Sequence, residues 1–399
     1  MPATTRRILA SLGILASLAC LSALIGAPAA RAAEPFDIDV VLPLTGGGSF
    51  LGHSEQTSLQ LAEPVLNKDG GIGGRPVHFV YHDDQSSPQV AVQLATQVVA
   101  RKPPVVLGSA LVAMCNAMTP LMARGPVMYC FSPGTSPKPG GFAYGSSSST
   151  YDLAGATLRY LELTGRTKVA IIASTDATGQ EGSKMFTTHL AMPAYKNIQL
   201  VGQASFNPTD VSAAAQIHHL KASNPQVLIA WSTGSAIGTV FKAIKDAGLN
   251  VPVVTTDGNM TFAQMHQFAS ILPKPLYIPT AQWPKSDIKL SPAVEEAKKV
   301  FYDTFDKAGI KPDFGSTLSW SAAMLTVSAL KKLGPDATAA QLNHYLSTLK
   351  GFAGINGIYD FTKTPQRGLD ETSVVLTRWD ADKDNWILVS KPQGFPVEK

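Results

Sequence analysis

Three stretches of this sequence combine polar side chains with backbone groups in a way that suits a small charged molecule. Ser109-Ala-Leu-Val-Ala113 follows an apolar run, Val105–Gly108, and opens a helix. Unpaired N–H groups at such a start suit a carboxylate, and the same residues also read as an ordinary helix start. Ser132-Pro-Gly-Thr135 follows a second apolar run, and Thr135 brings a hydroxyl and an N–H to one place. Asp257-Gly-Asn259 follows Val253-Val-Thr-Thr256. A carboxylate there suits an ammonium group. An Asp-Gly pair equally suits a turn in which the Asp bonds its own backbone.

Catalytic and metal patterns fail when tested one by one. The chain has no G-x-S-x-G elbow. The loop Thr45-Gly-Gly-Gly-Ser49 lies between an apolar run and a helical pattern, but it lacks both the P-loop and the G-x-G-x-x-G spacing. It reads as a flexible lip rather than a phosphate cradle. His78 and His82 share one strand face about 13 Å apart, too far for a single metal ion. His218 and His219 are adjacent on a helix and point differently. Asp83-Asp84 reads as a strand end and helix approach. No metal or cofactor is implied.

These residues need elements to carry them, and the chain supplies an alternation of strands and helices. Phe36–Leu42 reads as a strand stopped by Pro43, and His53–Asn67 as a helix with Leu59, Ala62, Val65 and Leu66 on one face. Pro76–Tyr81 is a strand, and Ser87-Pro88 caps and opens a helix. With Val105–Gly108 and Val127–Phe131 this makes four βα units, the pattern of a parallel sheet covered on both faces. A second set follows Ser146–Thr150, with strands at Val169–Ala173, Ile198–Gln203, Val227–Ala230 and Val253–Thr255. The helix Ile237–Ala247 ends at Gly248. Residues 292–350 read as helical and 352–389 as β-rich. The fold class is α/β: two doubly wound lobes whose strand ends face a shared cleft, as in a clamshell around a small molecule.

Composition agrees with an ordinary folded chain. Its 399 residues are 45% hydrophobic and 16% charged, which excludes a disordered protein. The formal charge of +4 falls by three, to +1, without Arg6, Arg7 and Arg31, so nucleic-acid binding driven by phosphate charge is not expected. Those arginines belong to a leader. Arg6-Arg7 precedes an apolar segment from Ile8 to Ile25, and Ala30-Arg-Ala32 offers a signal-peptidase site with the cut before Ala33. The segment spans about 18 residues and contains glycine, and it reads as a cleaved signal rather than an anchor. Arg6-Arg7 is compatible with Sec or twin-Arg export. Ser17-Leu-Ala19 before Cys20 is not the setting of a lipid-anchored cysteine. The mature chain is expected in the periplasm. There its two cysteines, Cys115 and Cys130, are expected to form a disulfide rather than remain as buried thiols.

Taken in order, several segments resemble the leucine/isoleucine/valine-binding protein family, the type I periplasmic solute receptors of ABC transporters. They are Ile38–Gly46, Asn67-Lys-Asp-Gly-Gly-Ile-Gly-Gly-Arg-Pro76, Tyr81-His-Asp-Asp84, Phe131–Ser136, Thr178-Gly-Gln-Glu-Gly182 and Asp257-Gly-Asn259. The likeness covers about residues 36–389. Beyond the leader over 1–32, it implies one lobe over 34–148 plus 282–352, a second over 149–281 plus 353–399, and a hinge of three crossings. It also implies no catalysis, and a monomer whose closed form docks on ABC permease subunits at the inner membrane.

The resemblance further implies ligand contacts from Ser109, Ala110, Val112, Ser132 and Thr135 to a carboxylate and from Asp257 to an ammonium. Val112 stands where that family presents a hydroxyl, and Leu51, Thr178 and Thr233 stand where amino-acid-binding members place Tyr. Smaller groups there leave room for a bulkier ligand. Trp231 and Phe50 would either stack on it or belong to the core. The expected ligand is an amino acid or amide, with an aromatic carboxylate as the alternative. The same clamshell would also serve a sensor signalling to a membrane partner. An exported α/β enzyme would need a constellation that is absent, and a DNA-binding repressor would need a helix-turn-helix where the leader stands.

Overall fold

Strand β1 (Phe36–Leu42) lies second from one edge of a five-stranded sheet, paired on both sides, and every residue from Ile38 onward is buried. A computed structural model describes residues 33–397, so the expected leader and its cleavage site at Ala32 lie outside the described residues. Strands β1, β2 (Val77–Asp83), β3 (Val105–Gly108), β4 (Val127–Cys130) and β5 (Ala143–Gly145) are all parallel, in the order β2-β1-β3-β4-β5. Helices α1 (Ser49–Asn67), α2 (Pro88–Ala100) and α3 (Val112–Met118) connect them.

The second sheet repeats this winding. Its strands β6 (Lys168–Ser174), β7 (Gln199–Phe206), β8 (Val227–Trp231), β9 (Val253–Thr255) and β10 (Leu276–Ala281) run parallel in the order β7-β6-β8-β9-β10. Helices α4 (Thr150–Leu163), α5 (Ala177–Leu190), α6 (Ala214–Ala222), α7 (Ile237–Asp246) and α8 (Phe262–Gln267) belong to this half. After α9 (Pro292–Lys307), α10 (Phe314–Leu333), α11 (Ala339–Thr348) and a hairpin of β11 (Lys350–Gly354) and β12 (Gly357–Asp360), strands β13 (Val374–Asp380) and β14 (Asn385–Leu388) join antiparallel beside β10. The fold is that of two α/β lobes. Each sheet reverses its strand order beside its first strand, and a crevice opens at the carboxyl ends there.

Helix α10 is the main support of the first lobe. It lies along α1 and is buried over nearly all its length, from Phe314 to Leu330. Each fully buried leucine in such a helix, Leu318 or Leu325 for example, contributes roughly 2 kcal/mol. Asp313 caps the helix, accepting from the Ser316 N–H and from the hydroxyl of Ser54 on α1.

Three segments, 146–149, 282–291 and 361–373, link elements of one sheet to elements of the other, and these crossings are bonded to one another. Arg367 of the third donates to the carbonyls of Ser146 and Ser147 in the first, at 3.3 and 3.2 Å. The Ser148 and Ser373 hydroxyls meet at 2.8 Å. Gln282 of the second crossing donates to the Thr372 carbonyl at 2.7 Å. Lys298 on α9 donates to the Gln282 and Pro284 carbonyls.

Several sequence expectations need adjustment. Helix α1 begins at Ser49 rather than His53, and β2 runs on to Asp83. Strands β5 and β10 were not expected, so the first sheet has five strands rather than four. The glycine loop after β1 is not a loose lip. Asp83 accepts from the N–H groups of Leu44 and Thr45 and from the Thr45 hydroxyl, and the Ser86 hydroxyl accepts from Gly48 N–H. Cys115 and Cys130 are joined by a disulfide, with Cα atoms 6.0 Å apart. Among the described residues no helix is long and apolar enough to cross a membrane.

Candidate ligand site between the lobes

Between the two crevices lies a small cavity whose walls come from both lobes. Leu51, Ala110, Leu111, Val112, Ser132, Pro133, Gly134, Phe314 and Leu318 line it from the first. Thr150 stands at the start of α4, and Thr178, Trp231, Thr233, Thr256, Asp257 and Gly258 complete it from the second. All but Phe314 and Leu318 lie at or after the carboxyl end of a strand, which is where doubly wound sheets bind ligands. The free volume is about 20 Å³, room for a single water, so a larger molecule enters only when the lobes part.

Five helices begin at this cavity: α1 near Leu51, α3 at Val112, α4 at Thr150, α5 beside Thr178 and α10 at Phe314. Three of these starts are already capped, α4 by Ser149 with Asp152, α5 by Asp176 and α10 by Asp313, whereas α1 and α3 have no side-chain cap. At α3 the N-cap is Leu111, which has no side-chain acceptor to cover the first N–H groups. The disulfide ties α3 to β4, and Phe131 N–H bonds the Ser109 carbonyl at 3.0 Å. The two first-lobe walls, 110–112 and 132–134, are thus fixed to each other.

Asp257 is the carboxyl group of the lining, which carries no basic side chain. It opens a short 3₁₀ turn after β9 and is fully buried. Its Oδ1 accepts from the Thr256 hydroxyl at 3.2 Å, while Oδ2 has no partner. Burial pushes its pKa up to about 8, against smaller opposing effects from hydrogen bonds and Arg367. Asn259 of the same motif sets the geometry. Its Nδ2 donates to the Ser232 carbonyl and the Thr255 hydroxyl, and its Oδ1 accepts from Gly234 N–H and Gln264. The loops carrying Thr233 and Asp257 are thereby locked together.

Arg367 lies behind the cavity, 5% exposed. Its donors reach the carbonyls of Thr135, Ser146 and Ser147, and among the described residues no carboxylate is within ion-pair distance of it.

The cavity brings together Leu51, Ala110, Val112, Ser132, Thr178, Trp231, Thr233 and Asp257 of the residues singled out in sequence. Ser109 and Thr135 lie behind the wall. The Ser109 hydroxyl donates to Asp84 at 2.5 Å, and the Thr135 hydroxyl to the Ser132 carbonyl at 3.0 Å. Trp231 is both wall and core. Its ring packs edge-on to Phe186 and lies so close to Gly182 that any side chain there would collide with it. Phe50 packs against Phe268 instead of the cavity. His82 sits 2.7 Å from Asp39, and His78 faces Glu63. Leu111, Thr150, Phe314 and Leu318 were missed. The run Ser146–Thr150 offered a helix-start signal for Thr150, because Ser149 and Asp152 form a capping box. Nothing near Phe314 in sequence points to a cleft some 200 residues earlier in the chain.

A family profile described as "Periplasmic binding protein" matches residues 35–384. The Leu/Ile/Val-binding protein homolog 3 of Brucella melitensis is 24% identical over 256 residues, 62% of this chain and 67% of that protein. Among solved structures, a solute-binding protein of an ABC transporter from R. palustris, in complex with benzoate, superposes with a TM-score of 0.73 at 18% identity, covering 92% of this chain and 98% of its own. The branched-chain amino acid transporter substrate-binding protein LivJ from Streptococcus pneumoniae, in complex with isoleucine, gives 0.74 at 18% identity, covering 88% and 98%. At these identities the structural likeness speaks for the fold.

Proposed function

This chain belongs to the periplasmic binding protein family, whose members bind solutes rather than catalyse reactions, and from that premise we propose that it captures a small carboxylate solute and delivers it to the permease of an ABC importer. The observation that carries this reading is a cavity at the strand ends of both sheets, lined by apolar and hydroxyl groups and one carboxyl, Asp257, and reached by the uncapped start of α3. Backbone N–H groups at the start of α3, which has no side-chain cap, suit an anion without any basic side chain at the surface. The solute displaces the water-sized void as the lobes close on it, and the closed form is what the permease recognises.

We place the first lobe at 34–148 plus 282–360 and the second at 149–281 plus 361–399, the third change of lobe falling after the β11–β12 hairpin rather than at 352. The receptor acts as a monomer in the periplasm after removal of a leader near Ala32. The solute is an amino acid or amide, or a carboxylate without an ammonium group. The second alternative is favoured by Leu51, Thr178 and Thr233, which give the cavity small or apolar walls, and by the Trp231 face beside them.

Thermal unfolding against a panel of amino acids, amides and aromatic acids tests this proposal. A ligand at about 100 times its Kd adds roughly 2.7 kcal/mol. For a chain of this size that is a shift of several degrees. A panel without any shift rejects the receptor reading for small carboxylates.

A further inference from the structure

Resting on the receptor reading, we infer that Asp257 meets the solute as a neutral carboxylic acid, donating its proton to an oxygen of a monocarboxylate that has no ammonium group. The geometry supports this in three ways. Asp257 Oδ2 is fully buried, has no partner and stands on the cavity wall, the place for a group that makes its bond only to a ligand. Its other side is met by the Thr256 hydroxyl and by backbone N–H groups of its own turn, and by no cation. The surroundings give an ionised Asp257 no counter-ion: the lining carries no basic side chain, and Arg367 behind the wall gives its hydrogen bonds to neutral carbonyls.

An ammonium would need the reverse arrangement. It carries three donors and requires an ionised acceptor with further acceptors around it. The cavity offers Asp257 as its one carboxyl, the hydroxyls of Ser132, Thr150, Thr178, Thr233 and Thr256, and the apolar surfaces of Leu51, Val112, Pro133, Phe314 and Leu318, with no second carboxylate beside Asp257. The charged groups that bear on Asp257 are few. Arg367 acts on it directly, and Asp152 on α4 and Glu181 on α5 act in turn on Arg367. Burial outweighs Arg367 and pushes the Asp257 pKa up to about 8, which favours the acid form at neutral pH. A carboxylate ligand then needs no proton exchange with solvent: the O–H of Asp257 points to the ligand oxygen and the two groups share one proton and one negative charge.

The sign of proton linkage separates the two chemistries. With a pKa of about 8, Asp257 is roughly 90% protonated at pH 7. A monocarboxylate that needs the acid form binds with almost no proton exchange at pH 7. Its affinity is flat below pH 8 and falls about tenfold per pH unit above it. An ammonium ligand expels the proton, releasing nearly one at pH 7, and its affinity rises with pH up to about 8.

The experiment is calorimetric titration of the whole mature protein with benzoate and with isoleucine, in buffers of differing ionisation enthalpy, for wild type and Asp257→Asn. Benzoate binding without proton release, retained within about threefold in Asp257→Asn and freed there of its loss above pH 8, is the expected result. Isoleucine binding with release of nearly one proton, weakened well over tenfold by Asp257→Asn, overturns the inference and leaves the receptor intact. Failure of both probes is followed by the wider carboxylate panel. A panel hit that carries an ammonium overturns the inference alone, and a panel with no hit overturns the receptor reading and the inference together. Thermal unfolding of Asp257→Asn without ligand shows that the variant is folded.

Discussion

The backbone N–H of Ser235 donates to the carbonyl of Gly47 at 3.1 Å, and this bond crosses the mouth of the cleft. Gly47 belongs to the loop after β1 in one lobe, and Ser235 to the loop after β8 in the other. Each loop is rigid in its own lobe: Asp83 and Ser86 hold the first, and Asn259 holds the second. The bond therefore joins two fixed edges, and forming or breaking it is a matter of lobe movement rather than loop movement.

Gly234 makes that approach possible, and its replacement should prevent it. Its φ is +84°, and a Cβ there would lie 2.2 Å from the Gly47 oxygen. In Gly234→Ala the second lobe should fold with a loss of about 1 kcal/mol for the positive φ. Closure should fail, and the affinity for whichever solute the thermal panel identifies should drop at least tenfold, about 1.4 kcal/mol. Small-angle scattering of the variant with ligand should show no compaction. Unchanged affinity with normal compaction would mean that the Gly47–Ser235 contact does not belong to the closed form.

The disulfide makes a second, independent prediction. It closes a separation of 15 residues between α3 and β4, which carry adjoining cavity walls. A loop of that length contributes about 3 kcal/mol. Reduction, or the pair Cys115→Ala with Cys130→Ala, should lower the melting temperature by several degrees. Ligand affinity should fall as well, because residues 110–112 and 132–134 lose a tether. Equal affinity in oxidised and reduced protein would confine the bond to a stabilising part.

The sequence made some of this legible and hid the rest for physical reasons. Long apolar runs such as Val105–Gly108 and Val127–Cys130 read as buried parallel strands because both faces are covered. Strand β5 escaped notice because Ala143-Tyr-Gly145 is too short to show a period. Strand β10 contains Pro279 and pairs on one side with β13, almost a hundred residues later. Asp257 stood out in sequence as a carboxyl after a strand, but the absence of any donor at its Oδ2 depends on residues from both lobes. Thr135 shows the opposite case. Its hydroxyl looked free in sequence, and the turn it belongs to takes that hydroxyl for the Ser132 carbonyl.

Arg367 should prove a structural hub of the hinge. It joins the third crossing to carbonyls of the first and to Thr135. Arg367→Met keeps an apolar stem and removes every donor, leaving three buried carbonyls short of a partner. Relief from burying a charge offsets part of that cost. The net loss should be about 2–4 kcal/mol in urea unfolding. Arg367→Lys should recover only part of it, because one ammonium cannot reproduce the fork. A methionine variant as stable as wild type would show that the hinge does not depend on these bonds.

Glu55 gives the last prediction, and its sign can be worked through. The residue is fully buried on α1, and neither carboxyl oxygen has a partner. Burial, reinforced by the nearby carboxyls of Asp84 and Asp313, raises its pKa well above the ordinary value. The folded chain therefore keeps a proton on Glu55 at pH values where the unfolded chain, with a carboxyl pKa of about 4.3, has released it. Stability linked to that proton is full below the unfolded pKa and is lost as pH rises toward the folded one. Glu55→Gln keeps the shape and cannot titrate. The free energy of unfolding of wild type should accordingly fall relative to Glu55→Gln as pH rises from 5 to 9, and the gap should be constant below pH 4. Comparing the two proteins cancels the other titrating groups, including Asp257, whose raised pKa gives a slope of the same sign. Parallel curves across the whole range would mean that Glu55 titrates normally, and that the space between α1 and α10 admits enough water to solvate its charge.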